Sequence, residues 1–285
     1  MARFCFLLLL FGYFLNPLTA QITCVAEDST LFENKLNQLK HIQTSSLGDS
    51  LVVIGKSFLD TPYVEKTLEV GETETLVVNL RGLDCTTFVE NVLAFGLQLK
   101  KDENLFLDFA KNLETIRYRN GDMNGYPSRL HYFTDWIRNN ESMGLVKDIT
   151  PALGGEIIQK PINFMGTHRN LYPFLTDNSN YEEILEIESE LASEALCILP
   201  QNQIEAQERN IQNGDVIALA TSIKGLDVTH TGFAIRVNGR IHLLHASTSG
   251  SVTVTKEPLV DYLKKIKSNI GIIVARPLLF PSQTP

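Results

Sequence analysis

The chain is short of cysteine, of zinc-type spacings and of positive charge, and each shortage removes a class of function. Four cysteines occur in 285 residues, none in a Cys-x-x-Cys pair, and there is no His-Glu-x-x-His. The spacings of structural and catalytic zinc sites are therefore missing, and no metal site is expected. Only 25 Lys and Arg stand against 33 Asp and Glu, a formal net charge of −8, so nucleic acid is not expected as a partner. No internal repeat or low-complexity linker breaks the sequence, which points to one compact domain rather than an array. After residue 20 no apolar stretch is long enough to span a bilayer, so no integral membrane segment is expected.

What is present begins with an export signature. Arg3 gives a short positive start, residues 4–15 are almost wholly apolar, and Leu18-Thr19-Ala20 ends on a small residue before Gln21. This reads as a secretory signal peptide over residues 1–20, with the mature chain in the periplasm or cell envelope. Gln21-Ile22-Thr23 ahead of Cys24 is a poor lipid-attachment site. Cys5 leaves with the signal, and Cys24, Cys85 and Cys197 remain. An odd count outside the cytosol leaves at least one thiol free. A Cys24–Cys197 bridge with Cys85 free and three free thiols both fit.

The full chain is 44% hydrophobic, and the mature part, residues 21–285, is long enough for a sizeable core. Apolar periodicity predicts helices over 27–43 and 51–59, the second stopped by Asp60-Thr61-Pro62. Residues 67–80 alternate loosely and read as a strand pair or an extended arm. A helix is expected to start at Cys85, with Gly82 breaking the chain before it and Asp84 near the N-cap. The helix dipole there favours thiolate, the nucleophilic form of cysteine, although most cysteines are simply small buried residues.

Residues 100–119 read as a further helix, followed by a turn-rich loop and then residues 126–136. That segment gathers Arg129, Tyr132, Asp135 and the only tryptophan, Trp136, which makes these four candidate substrate contacts; the plainer reading is a packed helix with polar residues facing solvent. Residues 144–201 carry an extended stretch and an acidic helix from 181 to about 196.

The last third is β. Strands are expected over 216–220, 230–237, 240–246, 252–254 and 270–275, with a short helix over 259–266. Asn238-Gly239 between two alternating runs is a two-residue hairpin turn. Pairing Val237 with Arg240 then sets His230 opposite Ser247 and diagonal to His245, all on one face. A cysteine at a helix start with two histidines in reach of each other makes a nucleophile, a base and an orienting group. The plainer reading of the histidines is a cross-strand pair filling a sheet face.

In this order the motifs resemble the NlpC/p60 cysteine peptidases of bacterial cell walls. Phe58-Leu59-Asp60-Thr61-Pro62-Tyr63 looks like the segment of the family's active-site tyrosine, and Leu83-Asp84-Cys85-Thr86 is similar to its Asp-Cys-Ser-Gly motif. Asn213-Gly214-Asp215-Val216 resembles its Gly-Asp turn, and His230-Thr231-Gly232 and His245-Ala246-Ser247 its base and orienting residue. Asp84-Cys85-Thr86-Thr87-Phe88-Val89-Glu90 with Ser128-Arg129-Leu130-His131-Tyr132 looks more like a divergent branch, the N-acetylmuramoyl-L-alanine amidase-like proteins. Thr86-Thr87 stands where the parent family has Ser-Gly, and about 120 residues separate the nucleophile motif from the Gly-Asp turn.

The resemblance implies an α+β, papain-like fold, with a nucleophile helix on an antiparallel sheet and a large, mostly helical insertion over about 100–210. It implies cleavage of the amide joining muramic acid to L-alanine in peptidoglycan or muropeptides, without a cofactor. Cys85 would be the nucleophile, His230 the base and His245 its orienter, with Tyr63, Asp84 and Ser247 among the residues near substrate. Two alternatives are a γ-D-glutamyl-diamino acid endopeptidase of the same fold and a non-catalytic wall-binding module.

Overall fold

The computed structural model describes residues 21–278; the expected signal segment lies outside them. In chain order the elements are β1 (Ile22–Thr23), α1 (Ala26–Leu39), α2 (Leu47–Lys56), β2 (Leu76–Val77), α3 (Cys85–Lys100), α4 (Phe106–Arg117) and α5 (Phe133–Ser142). Next come β3 (Val146–Asp148), β4 (Glu156–Ile158), α6 (Phe164–Thr167), α7 (Asn178–Ser193), β5 (Leu196–Pro200) and α8 (Ile204–Gln207). The chain closes with β6 (Val216–Thr221), β7 (Val228–Val237), β8 (Arg240–Ala246), β9 (Val252–Val254), α9 (Leu259–Leu263) and β10 (Asn269–Pro277). The architecture is α+β.

Seven strands pair in the order β4-β5-β10-β6-β7-β8-β9, every pairing antiparallel, and β3 adds to β10. β6 is buried along its whole length and the middles of β7, β8 and β10 are buried and mostly apolar, because both faces are covered. Phe233, Ile235, Leu244, Ala246 and Ile273 enter the larger core with the helices, while Ala234, Ile241, Leu243, Ile272 and Val274 enter a smaller one with α9. The alternation fixes register, since a one-residue slip would exchange the two cores. The β7–β8 turn is Asn238 and Gly239, with φ of 49° and 84°, the double left-handed conformation a two-residue hairpin demands. Val237 pairs with Arg240 as its length predicts.

α3 is buried from Thr87 to Gln98, the mark of a helix apolar on nearly all sides. Phe88 meets Phe233 edge-on at 5.9 Å and Phe95 meets Phe109 at 4.5 Å, so this helix is the axle between sheet and helical layer. The expected 100–119 helix is shorter: α3 continues to Lys100, Asp102 turns left-handed (φ 55°), and α4 begins at Phe106. Residues 67–80 supply only β2, which pairs in parallel with β1. The stretch over 100–210 holds α4 to α8 but also β3, β4 and β5, of which β3 and β5 pair with β10. Strands as well as helices stitch it to the sheet. Cys24, Cys85 and Cys197 are all free thiols.

Candidate active site

Asp84 ends an extended approach and starts α3. Its carboxylate accepts the Thr87 N–H at 2.8 Å, and the Thr87 hydroxyl accepts the Asp84 N–H at 2.9 Å. This reciprocal cap fixes the first turn, and Cys85 is its first residue. The same fixation orients the sulfur. Tyr63 is brought alongside by backbone pairing: it bridges Leu83 in parallel, and its N–H donates to Gly250 O at 2.8 Å.

The thiol is half-buried and receives the main-chain N–H of Thr231, the residue after His230. Burial, then the neighbouring Asp84 charge, pushes its pKa up to about 12, against the pull of the Thr231 and Thr86 hydrogen bonds. The thiolate that a helix N-terminus alone would favour is thus not the resting form. Desolvation outweighs the hydrogen bonds to the sulfur here.

His230 Nε2 lies 2.6 Å from His245 Nδ1, with the rings perpendicular. Gly232 makes this approach feasible, because a Cβ there would sit 2.9 Å from that of His245. Burial, joined for His230 by its neighbour His245, pulls both imidazoles well below the usual histidine range. Two neutral rings sharing one hydrogen bond leave His230 Nδ1 as the nitrogen open to another proton. Tyr262 of α9, which sequence reasoning missed, packs edge-on against His245 at 5.5 Å. A single tyrosine in a short amphipathic helix carries no signal to single it out.

Beside Cys85 opens a cavity of about 230 Å³, lined by Asp84, Thr86, Lys66, Glu69, Arg129 and Tyr172 among others. Of the aromatic-rich segment, Arg129 reaches it, and so does His131. Tyr132, Asp135 and Trp136 do not. Tyr132 donates to Glu188 at 2.6 Å, Asp135 holds Arg119 through both oxygens, and Trp136 is fully buried, stacked on Phe133. Neighbours inside the fold occupy the polar groups of Tyr132 and Asp135, and Trp136 is withdrawn by burial alone. Ser247 shapes the turn after β8, its N–H donating to Ser251 O and its hydroxyl accepting from Ser249 N–H. Asp215 of the Gly-Asp turn takes a two-point bond from Arg276, at 2.8 Å each, and so serves the sheet.

Among the described residues no cluster of three His, Cys, Asp or Glu could hold a metal ion, and no helix is long and apolar enough to cross a membrane.

Comparison with known proteins bears on the whole arrangement. Among solved structures, an N-acetylmuramoyl-L-alanine amidase from Bacteroides uniformis is 38% identical, with 81% of this chain and 98% of that one covered and a TM-score of 0.77. A putative xylanase from Bacteroides fragilis is 44% identical over 78% of this chain and 98% of that one, with a TM-score of 0.74. A Legionella pneumophila protein shares the fold at 24% identity, covering 88% and 93%, with a TM-score of 0.61. No curated protein matches. The family model described as AmiA-like, N-acetylmuramoyl-L-alanine amidase-like, matches residues 53–272, a span running from α2 through both histidines into β10, and the chain belongs to that family.

Proposed function

We propose that the chain is an exported cysteine amidase of papain-like, NlpC/p60-type architecture that hydrolyses the amide between N-acetylmuramic acid and L-alanine in peptidoglycan or its fragments. The observation that carries the reading is the paired His230 and His245, with the neighbouring Thr231 amide on the Cys85 sulfur. Family membership supports the bond class, and the N-terminal sequence supports export.

In this reaction the neutral pair works without a resting ion pair. Cys85 Sγ attacks the lactyl carbonyl carbon as His230 Nδ1 takes the thiol proton, and His245 Nδ1 accepts the hydrogen bond from His230 Nε2–H, steadying the imidazolium. The carbonyl oxygen gains charge beside the Cys85 N–H, one of the helix's acceptor-free first-turn amides, and the Tyr63 hydroxyl. Collapse breaks the C–N bond, and the His230 proton leaves with the L-alanine amine. A water then adds to the thioester, giving its proton to His230, and collapse releases the carboxylate while the thiol regains its proton. No metal or organic cofactor enters the sequence of steps.

Mass spectrometry of purified muropeptides incubated with the mature protein and with Cys85→Ala tests this. Release of an intact stem peptide beginning at L-alanine, lost in the variant, is expected. An L-Ala-D-Glu dipeptide left on the sugar would instead make the protein an endopeptidase, and no product from either protein would leave a binding module.

A further inference from the structure

Three arginines close in sequence, of which Arg129 lines the cavity, are treated unequally. Arg117, fully buried, gives Nε to Glu90 and Nη1 to Val77 O, each at 2.7 Å, and Arg119 grips Asp135 at 2.7 and 3.1 Å. Arg129 is only 7% exposed, yet its nearest carboxylates stand off, Glu74 Oε1 at 3.5 Å from Nε and Glu69 Oε1 at 3.9 Å from Nη2. Charge-assisted bonds close to about 2.7–2.9 Å. Its Nε has no hydrogen-bond partner among the described residues, and neither do Oε2 of Glu69, Oε2 of Glu74 or the hydroxyl of Thr67. Glu74 is the main counter-charge of Arg129, although Glu74 Oε1 also accepts the Tyr118 hydroxyl at 2.7 Å and burial raises the carboxyl's own pKa.

The guanidinium is nonetheless held in place. A backbone bridge joins Arg129 to Tyr118, and the Tyr126 ring lies under the guanidinium at 4.9 Å. A buried arginine with an unfilled Nε, in the wall of a cavity that starts at Asp84 and Thr86 on either side of Cys85, has a donor to offer a substrate carboxylate.

We propose that Arg129 binds the free α-carboxylate of the D-glutamate in the stem peptide. This rests on the amidase reading, which sets the scissile bond at Cys85. The stem continues through the γ-carbon of D-glutamate, so its α-carboxylate is the first anion beyond the scissile carbonyl, at most about 7 Å of extended chain away. The L-Ala–D-Glu peptide N–H, attached to the same Cα, supplies the donor that Glu69 Oε2 lacks. Arg129 is a specificity residue in this scheme, and it moves no proton.

The test compares two muramoyl tripeptides, L-Ala-γ-D-Glu-diaminopimelate and its α-carboxamide twin, with wild type, Arg129→Gln and Arg129→Lys. Wild type should favour the carboxylate by about 10-fold or more in kcat/KM, mostly through KM. Arg129→Gln should bring the ratio close to one, and Arg129→Lys should restore part of it. Equal cleavage of both substrates by wild type, or an unchanged ratio in Arg129→Gln, overturns the proposal. Should Arg129→Gln fail to fold, Arg129→Lys carries the test: a ratio between that of wild type and one supports the proposal, and an unchanged ratio, or a wild-type ratio of one, overturns it. Should wild type cut neither substrate at the muramoyl amide, the amidase reading falls, and calorimetry of L-Ala-γ-D-Glu against its α-carboxamide then judges the subsite by itself. Discrimination keeps the anion site; none removes it.

Discussion

Two segments of this chain look functional in sequence, and the fold treats them differently. Around Cys85 a few ordinary residues converge: a cap, a turn amide and two histidines from a hairpin. Between Tyr126 and Trp136 the sequence crowds aromatics, an arginine and an aspartate together, and most of them disappear into the interior. Trp136 is fully buried, Tyr132 is bonded to Glu188 and Asp135 is bonded to Arg119. Density of polar and aromatic residues is thus a poor guide to a site. What counts is whether a group's bonding capacity is left open where a substrate can reach it, and in the second segment Arg129 meets that condition.

The sharpest way to break this contrast is Cys85→Ala, which should lower amide hydrolysis at least about 10⁴-fold with little change in melting temperature, read by stem-peptide release and calorimetry. A stable variant that keeps its activity would place the chemistry elsewhere.

His245→Ala should cost about 10²–10⁴-fold in kcat, because His230 loses the acceptor that fixes its tautomer. The pair also sets a pH signature. Burial holds both rings well below the usual histidine range, so His230 stays neutral and able to accept a proton in moderately acidic buffer. The rate profile should therefore stay level through the region near pH 6.5 where an ordinary imidazole titrates. Folding stability follows the same asymmetry. Unfolded imidazoles bind protons below about pH 6.5 and the folded ones do not, so stability falls as pH drops from there toward the folded values. Denaturant titrations across pH 4–8 check the sign, and a stability curve flat through that range would refute the burial argument.

On the other side of the comparison, Trp136→Ala should destabilise the fold by about 3–5 kcal/mol. In the temperature range where the variant is still folded, KM should barely move, since Trp136 does not line the cavity. A large rise in KM at full folding would return the tryptophan to the substrate side. The smallest effect belongs to the cap: Asp84→Ala should cost about 1 kcal/mol of stability, with a loss of rate where the first turn of α3 loosens the thiol. A loss of stability with an unchanged rate would show that the cap serves folding alone.

Much of the β third was legible in residues 213–275. Asn238-Gly239 fixes a two-residue turn, and the turn length fixes every pairing in the hairpin, so the approach of His230 to His245 follows from local rules. Asp84 with Thr87 is likewise a local cap, and α3 starts where its sequence says. Less was readable where long-range contact overrides pattern. Residues 100–105, expected as the start of the 100–119 helix, instead turn through a left-handed Asp102, and residues 67–80, open between a strand pair and an extended arm, give one short strand. Tyr262 meets His245 through packing of α9 on the sheet, a relation between residues far apart in sequence.

By itself the sequence determined the order of the motifs, the capped start of α3 with Cys85 as its first residue, and the register of β7 with β8 that pairs the two histidines. Those depend on bonds between residues close along the chain or tied by a two-residue turn. Tertiary structure alone decided the state of these groups. Burial pushes the Cys85 thiol up and both imidazoles down, each toward its neutral form, because desolvation depends on what the rest of the chain packs around them. It also decided which arginine is spent, giving Arg117 and Arg119 close partners while leaving Arg129 at a distance from its own.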